Sequence, residues 1–351
     1  MRASPARLAS RPKNNEFPMP NNLQVLIDKL PTDKLTPDTY RLAEAPAPVP
    51  EDGEVLVKTT SFAITAGTRA GLQGSASYAG APRTGVVMNG TGVGEVAASN
   101  HPDFAVGDAV SAPTGWQIYS THAGAALTRI PPDHEPVDYL GPLGVNGLTA
   151  YFGLFEVGRP IPDNTVMISA AAGSVGHMAG QMAQQVPTRI VGVCGSDAKA
   201  RTLIDRLGFD SVVNYREDNF RQALKEATPN GVDVYFDNTG GDILGSALRR
   251  LNAGGRIACC GVVSQYDTSK PEPGPRGIPG LLINKRISMT GFLVFDFADQ
   301  YEDARRQIAQ WLADGTLKHL TDDVNGLEAA PQAFVDLLAG GNVGTRVVHI
   351  N

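Results

Sequence analysis

The stretch Ser169-Ala170-Ala171-Ala172-Gly173-Ser174-Val175-Gly176-His177-Met178-Ala179-Gly180 decides how this chain is read. The apolar run at 165–168 before it has the texture of a buried parallel strand. After it, residues 175–186 carry Ala, Met, Val and Gln with no proline until Pro187, which predicts a helix. A glycine-rich turn from strand into helix leaves backbone N–H groups unpaired at a helix N-terminus. Such a place favours a phosphate, through the helix dipole and the close approach that glycine permits.

The motif is Ala171-x-Gly173-x-x-Gly176, the dinucleotide fingerprint with alanine in its first glycine position. Ser174 and Val175 lie inside it. A second strand is predicted at 189–194, and the position where a carboxylate would grip the adenine ribose is Gly195, followed by Ser196, Asp197 and Lys199. A small residue with a cation close by suits a 2′-phosphate, so the cofactor reads as NADPH; Asp197 is assigned to capping the next helix.

Outward from this core, strand-like segments at 189–194, 211–214, 232–236, 256–260 and 287–290 alternate with helical patterns at 197–207, 220–227, 242–251 and 300–313. Six strands with the first at 165–169, interleaved with helices, predict an α/β, doubly wound parallel sheet of the Rossmann kind. Before residue 141 the pattern is β-rich, with strands expected at 24–29, 54–62, 84–97, 108–111 and 116–120. A last strand is expected at 345–349, returning to the first domain.

With 351 residues the chain has room for two cored domains, and 42% hydrophobic with 19% charged residues is ordinary for a globular protein. A net charge of −6 argues against a general nucleic-acid binder. The uncharged segment 164–188 is glycine- and glutamine-containing and reads as a buried strand–turn–helix, not a membrane span. Three cysteines (Cys194, Cys259, Cys260) form no disulfide ladder and no metal spacing, which fits a reducing compartment such as the cytoplasm. Residues 1–20 lack an apolar h-region; they read as a loosely attached tail in preference to an organellar leader, and not as a secretory signal.

Five blocks in order then carry a resemblance: Gly147-Leu148-Thr149-Ala150-Tyr151, the glycine motif, Leu207-Gly208-Phe209-Asp210, the run from Asp233 to Gly241, and Gly261-Val262-Val263-Ser264-Gln265-Tyr266. The chain resembles the zinc-independent medium-chain dehydrogenase/reductases, in the group of NADPH-dependent alkenal/one oxidoreductases. The resemblance implies a tail at 1–21, a GroES-like catalytic domain at 22–143, a Rossmann domain at 144–318 and a return to the catalytic domain at 319–351. It also implies a homodimer with its active site between the domains. Lys199 and Tyr215 fall where that family holds the 2′-phosphate. Asn238, Cys260, Phe292 and Val294 fall where it lines the nicotinamide and ribose, and Asn342 matches a cofactor-contacting asparagine in Gly-x-Asn-x-Gly. Thr345 replaces the lysine usual after that motif, with Arg346 next to it.

No metal is expected. The positions of the zinc-dependent relatives' His and Glu are Gly90 and Thr91, and no cysteine precedes Cys194. Without a Lewis acid, hydride addition to an electrophilic carbon remains, on a small unsaturated carbonyl substrate. Tyr266 is the candidate donor to the carbonyl oxygen, with a pocket-wall role as its alternative. Arg69 and Tyr78 are the candidate substrate-side residues, and Gly67 stands where several relatives carry a second active-site tyrosine. A quinone oxidoreductase and a non-catalytic NADPH-binding protein are the competing readings.

Overall fold

The computed structural model describes residues 20–76, 80–271 and 273–350. The first part is β-rich: β1 (Asn21–Ile27), β2 (Tyr40–Pro46), β3 (Glu54–Ile64), the short helix α1 (Gly67–Gln73), β4 (Gly92–Ser99), β5 (Ala109–Ala112), β6 (Tyr119–Ala123) and β7 (Thr128–Arg129). Helix α2 (Val145–Phe152), prolonged by a π-helical turn over Gly153–Gly158, leads to β8 (Thr165–Ile168) and α3 (Ser174–Ala183). Strand and helix then alternate through β9 (Arg189–Cys194), α4 (Asp197–Leu207), β10 (Ser211–Asn214), α5 (Phe220–Ala227), β11 (Val232–Asp237), α6 (Gly241–Arg250), β12 (Leu251–Cys259), α7 (Ile278–Lys285) and β13 (Ser288–Gly291). Helix α8 (Tyr301–Ala313), β14 (Thr321–Asn325), α9 (Ala330–Leu338) and β15 (Thr345–His349) follow.

Strands β8 to β13 form one six-stranded sheet in the order β10-β9-β8-β11-β12-β13, parallel throughout. This is the expected doubly wound sheet. The order reverses between β8 and β11, which opens a crevice at their carboxyl ends. Covering helices bury both faces, so β8 is apolar on consecutive positions: Val166 and Ile168 join a cluster with Met178 and Phe209, while Met167 joins Val191, Tyr235 and Leu248 on the other side.

The second sheet runs β14-β15-β3-β4-β5-β7, with β6 also pairing β3. Strand β15 pairs antiparallel with β3 and parallel with β14. On β3, Phe62 and Ile64 face a core built on Trp116 and Phe334, while Ala63 faces the cluster that continues to Ile168 and Phe209. One buried cluster therefore runs through both sheets. The strand expected at 84–97 is shorter: β4 begins at Gly92. Residues 85–88 instead cross β1 through a single bridge, Leu26↔Val87, because Gly85 turns the backbone at φ +74°. Among the described residues no helix is long and apolar enough to cross a membrane.

Helix α3 reaches β9 by way of Phe209, whose ring fills the space where a Cβ on Gly180 would sit, 1.9 Å from the ring edge. Gly180→Val should therefore cost about 2–3 kcal/mol, lowering the urea midpoint. Phe209→Leu in the same chain should recover part of the loss, and strict additivity of the two changes would refute this packing.

Candidate functional site

At the head of α3 the glycine motif does two separate jobs. A Cβ on Gly176 would lie 2.3 Å from the Ala170 carbonyl oxygen, so this glycine lets helix and strand approach. Gly173 is the N-cap, partly exposed, and a Cβ there would meet the same oxygen at 3.2 Å. Ala170 itself holds φ +45°, a left-handed conformation costly for a residue with a side chain. Ala171 is buried, its N–H donating to Val193 O (3.0 Å), which pins the turn to β9. Ser174 and Val175 open the helix, half-buried, beside N–H groups free to hold a phosphate. His177 is fully buried: its Nε2 accepts from the Leu320 N–H (3.3 Å) and its Nδ1 lies 2.9 Å from Gly173 O. Burial pushes its pKa down to about 4, so it is a neutral structural group.

The next strand ends form a cationic recess around Gly195. A Cβ there would meet Tyr215 Cε1 at 3.2 Å and Arg216 Nε at 3.3 Å, so the glycine leaves an opening bounded by both side chains. Lys199 Nζ donates to Gly340 O (2.7 Å) and Arg216 Nη2 to Ala339 O (3.3 Å), just past the end of α9. Burial, together with the charges of Arg216 and Arg346, lowers the Lys199 pKa. Positive charge is thus crowded where an anion would relieve it. The capping expectation shifts by one residue: Ser196 is the N-cap of α4, its hydroxyl accepting from Lys199 N, and Asp197 accepts from Asn214.

At the other side of the crevice Asp237, which sequence reasoning did not single out, organises the end of β11. Its Oδ1 accepts from Tyr235 OH (2.8 Å), Thr239 N (3.0 Å) and Gly240 N (2.8 Å). Asn238 is buried, its Nδ2 donating to Ser169 O (2.8 Å). Backbone bonds from Cys260 N to Asp237 O, Val263 N to Asn238 O and Ser264 N to Thr239 O stitch the loop after β12 to this end. Burial first, then the Asp237 charge, pushes the Cys260 thiol up to about 12, which rules out a thiolate nucleophile at neutral pH. The Phe292 ring packs edge-on to Phe236 and Val294 is buried, so both point into the core and leave only backbone toward the crevice.

Tyr266 follows that stitched loop, half-buried. The next residue, Asp267, at φ +58°, explains Arg69, whose expected substrate role does not hold. Arg69 is fully buried, its Nε 3.0 Å from Asp267 Oδ1 and its Nη2 2.5 Å from Asp33 O. It anchors the Tyr266 loop to the β-rich half, helped by Asp33 accepting from Ser269 N (2.8 Å) and by Gln73 donating to Thr268 O (3.2 Å). A Cβ on Gly67 would meet nothing within 4 Å, so the wall there is open. Tyr78 lies outside the described residues. Across the glycine turn, Gly344 N donates to Ala172 O (2.8 Å), but the Asn342 amide nitrogen is spent on Gly344 O (2.8 Å) within its own turn. Arg346 is held by Asp322 and Ala333 O, whereas Thr345 Oγ1 lies 2.8 Å from Ser174 Oγ.

A zinc site does not fit these residues. A Cβ on Gly90 would stand 2.9 Å from the Trp116 indole, so that position has no room for a ligand side chain. Among the described residues no three His, Cys, Asp or Glu side chains are grouped to hold a metal.

Lys199→Glu should raise the Kd for NADPH about ten- to a hundredfold while leaving NADH affinity nearly unchanged; equal loss for both would contradict a 2′-phosphate in this recess. Asp267→Ala leaves a buried guanidinium unpaired and should cost about 3 kcal/mol in denaturant unfolding. An unchanged midpoint would mean the pair does not anchor the loop.

Residues 23–130 match a family model described as the N-terminal domain of oxidoreductase, and residues 174–311 one described as zinc-binding dehydrogenase. The NADPH-dependent curcumin reductase of Escherichia coli (strain K12) is 36% identical over 320 residues, covering 90% of this chain and 92% of that protein. The 2-alkenal reductase (NADP(+)-dependent) of Nicotiana tabacum is 39% identical over 280 residues, covering 78% and 80%. The crystal structure of CurA in complex with NADPH from Vibrio vulnificus superposes with a TM-score of 0.89 at 36% identity, covering 94% of this chain and 99% of that one. The recess at Gly195 and the cradle at Gly173 fit that cofactor, and NADPH is the cofactor of this chain. This NADP-dependent oxidoreductase belongs to the zinc-independent medium-chain dehydrogenase/reductases, in the NADPH-dependent enone reductase group.

Proposed function

We propose that this enzyme reduces the C=C bond of α,β-unsaturated aldehydes and ketones. The observation that carries the reading is the placement of a phenol, Tyr266, on a loop tied both to the β11 end of the crevice and, through Asp267 and Arg69, to the β-rich half. Bound NADPH supplies a hydride to the β-carbon of the substrate. Gly173, Ser174 and Gly176 hold its pyrophosphate, and Lys199 with Tyr215 its 2′-phosphate. Backbone around Asn238, Cys260, Phe292 and Val294 borders the nicotinamide. Tyr266 donates a hydrogen bond to the carbonyl oxygen, where negative charge gathers as the β-carbon accepts hydride, and the resulting enolate takes its proton at the α-carbon from Tyr266, the ribose hydroxyl or water. The same names among the relatives, a curcumin reductase and a 2-alkenal reductase, support a conjugated carbonyl as substrate. The open wall at Gly67 favours bulky substrates.

We also read the enzyme as a homodimer. Among the described residues strand β13 is a sheet edge paired with β12 alone, and Ile283 on helix α7 is 75% exposed.

Tyr266→Phe should lower kcat on an enone about a hundredfold with the Kd for NADPH unchanged, read by stopped-flow oxidation of NADPH. Unchanged turnover removes Tyr266 from the chemistry. Turnover of quinones with none on enals or enones would replace this reading by a quinone oxidoreductase.

A further inference from the structure

Among six sequence-scattered histidines, His319 stands out by its partners. Its Nδ1 lies 2.9 Å from Asp138 Oδ1 and its Nε2 3.1 Å from Thr345 Oγ1. Thr345 Oγ1 in turn lies 2.8 Å from Ser174 Oγ, in the first residue of α3. Thr345 is fully buried and the His319 side chain is 6% exposed, while Asp138 and Ser174 at the two ends are half-buried. A Cβ on Gly141 would stand 2.1 Å from His319 Nε2, so the imidazole is fitted against bare backbone. The groups that face His319 are the Asp138 carboxylate from the 136–140 turn, the Thr345 hydroxyl from β15, and the neutral His177 ring from α3 at 6.2 Å.

Counting protons along this chain fixes its direction. A carboxylate only accepts, so His319 must donate Nδ1–H to Asp138. With Nε2 unprotonated, Thr345 donates to it, and Thr345 then accepts from Ser174. The Ser174 hydrogen is spent and a lone pair faces outward, the wrong polarity for an anion. With Nε2 protonated, the bond to Asp138 stays as it is and the other two reverse: His319 donates to Thr345, Thr345 to Ser174, and the Ser174 hydrogen is free for a phosphate oxygen. We propose that Asp138, His319 and Thr345 form a positioning relay that aims the Ser174 hydroxyl at the cofactor's pyrophosphate, so that NADPH binding draws a proton from solvent onto His319. This rests on the pyrophosphate lying over Gly173 to Gly176. His319 is a positioning residue, and Thr345 does through a relayed hydroxyl what a lysine at its place would do by charge.

The linkage has one sign. A ligand that favours the protonated imidazole binds more tightly at low pH and loses that advantage as pH rises through the imidazole range. Titration of the full-length enzyme with NADPH by calorimetry, in buffers of different ionisation enthalpy between pH 5.5 and 8, reads the protons taken up. The cofactor's own 2′-phosphate contributes equally to every variant and cancels in differences. Thr345→Val should abolish the relay's share of proton uptake and weaken binding about fivefold at low pH, with a smaller loss at pH 8. His319→Gln, whose amide nitrogen serves the Asp138 carboxylate and whose oxygen then accepts from Thr345 at every pH, should show no uptake and bind throughout with the weaker, high-pH affinity. Proton uptake identical in wild type, Thr345→Val and His319→Gln would overturn the relay. Ser174→Ala separates the two readings. If it leaves NADPH affinity unchanged, the Ser174 hydroxyl does not meet the cofactor and the relay falls, while a pyrophosphate held on the backbone N–H groups of the turn stands. If it weakens binding while uptake is the same in all variants, the relay alone falls.

Discussion

Helix α3 lies so near β8 that position 176 has no room for a side chain; a Cβ there would sit 2.3 Å from the Ala170 oxygen. That closeness is the constraint on which the rest depends. It brings the helix N-terminus, with its unpaired N–H groups, onto the carboxyl edge of the sheet where the strand order reverses. It also puts the turn within reach of the returning chain, so Gly344 bonds Ala172 and Thr345 meets Ser174. The two sheets are thereby joined at the place where the cofactor's charge must be met.

The crevice separates its charges along its length. At one end Lys199 and Arg216 crowd around Gly195 and rest on carbonyls after α9, acceptors that a phosphate dianion outmatches. Toward the other end charge is spent internally. Asp237 Oδ1 accepts from Tyr235, Thr239 and Gly240, and the neighbouring thiols are held protonated. The polar groups left to a substrate there are neutral ones.

Local signals in the sequence carried the α/β half well, because a buried parallel strand and its helix are written in consecutive residues. The alternation from 165 to 290 maps onto β8 through β13, and Gly195, Lys199 and Tyr215 converge as their spacing after each strand implies. What escaped notice depends on pairs far apart in the chain. Arg69 reads as a substrate-side residue beside an altered motif until its partner, 198 residues later, is seen. Asp138 and His319 are separated by 181 residues, so no spacing rule links them. Asp237 was hidden differently: its work is done on backbone N–H groups, which leave no trace in residue type. Residues 84–91 mislead for a simpler reason, since their alternation serves one bridge to β1 and not a ladder.

The same reasoning bears on the choice of chemistry. Oxidising an alcohol requires something to take or polarise its hydroxyl, either a Lewis acid or a base of suitable pKa. Position 90 is closed by Trp116, and His177 is buried and bonded at both nitrogens. A conjugated carbonyl makes no such demand, because its β-carbon is electrophilic before it binds and its oxygen needs only a neutral donor as charge arrives. A phenol in the proposed place would meet that requirement, and the buried Arg69–Asp267 pair ties its loop to the β-rich half.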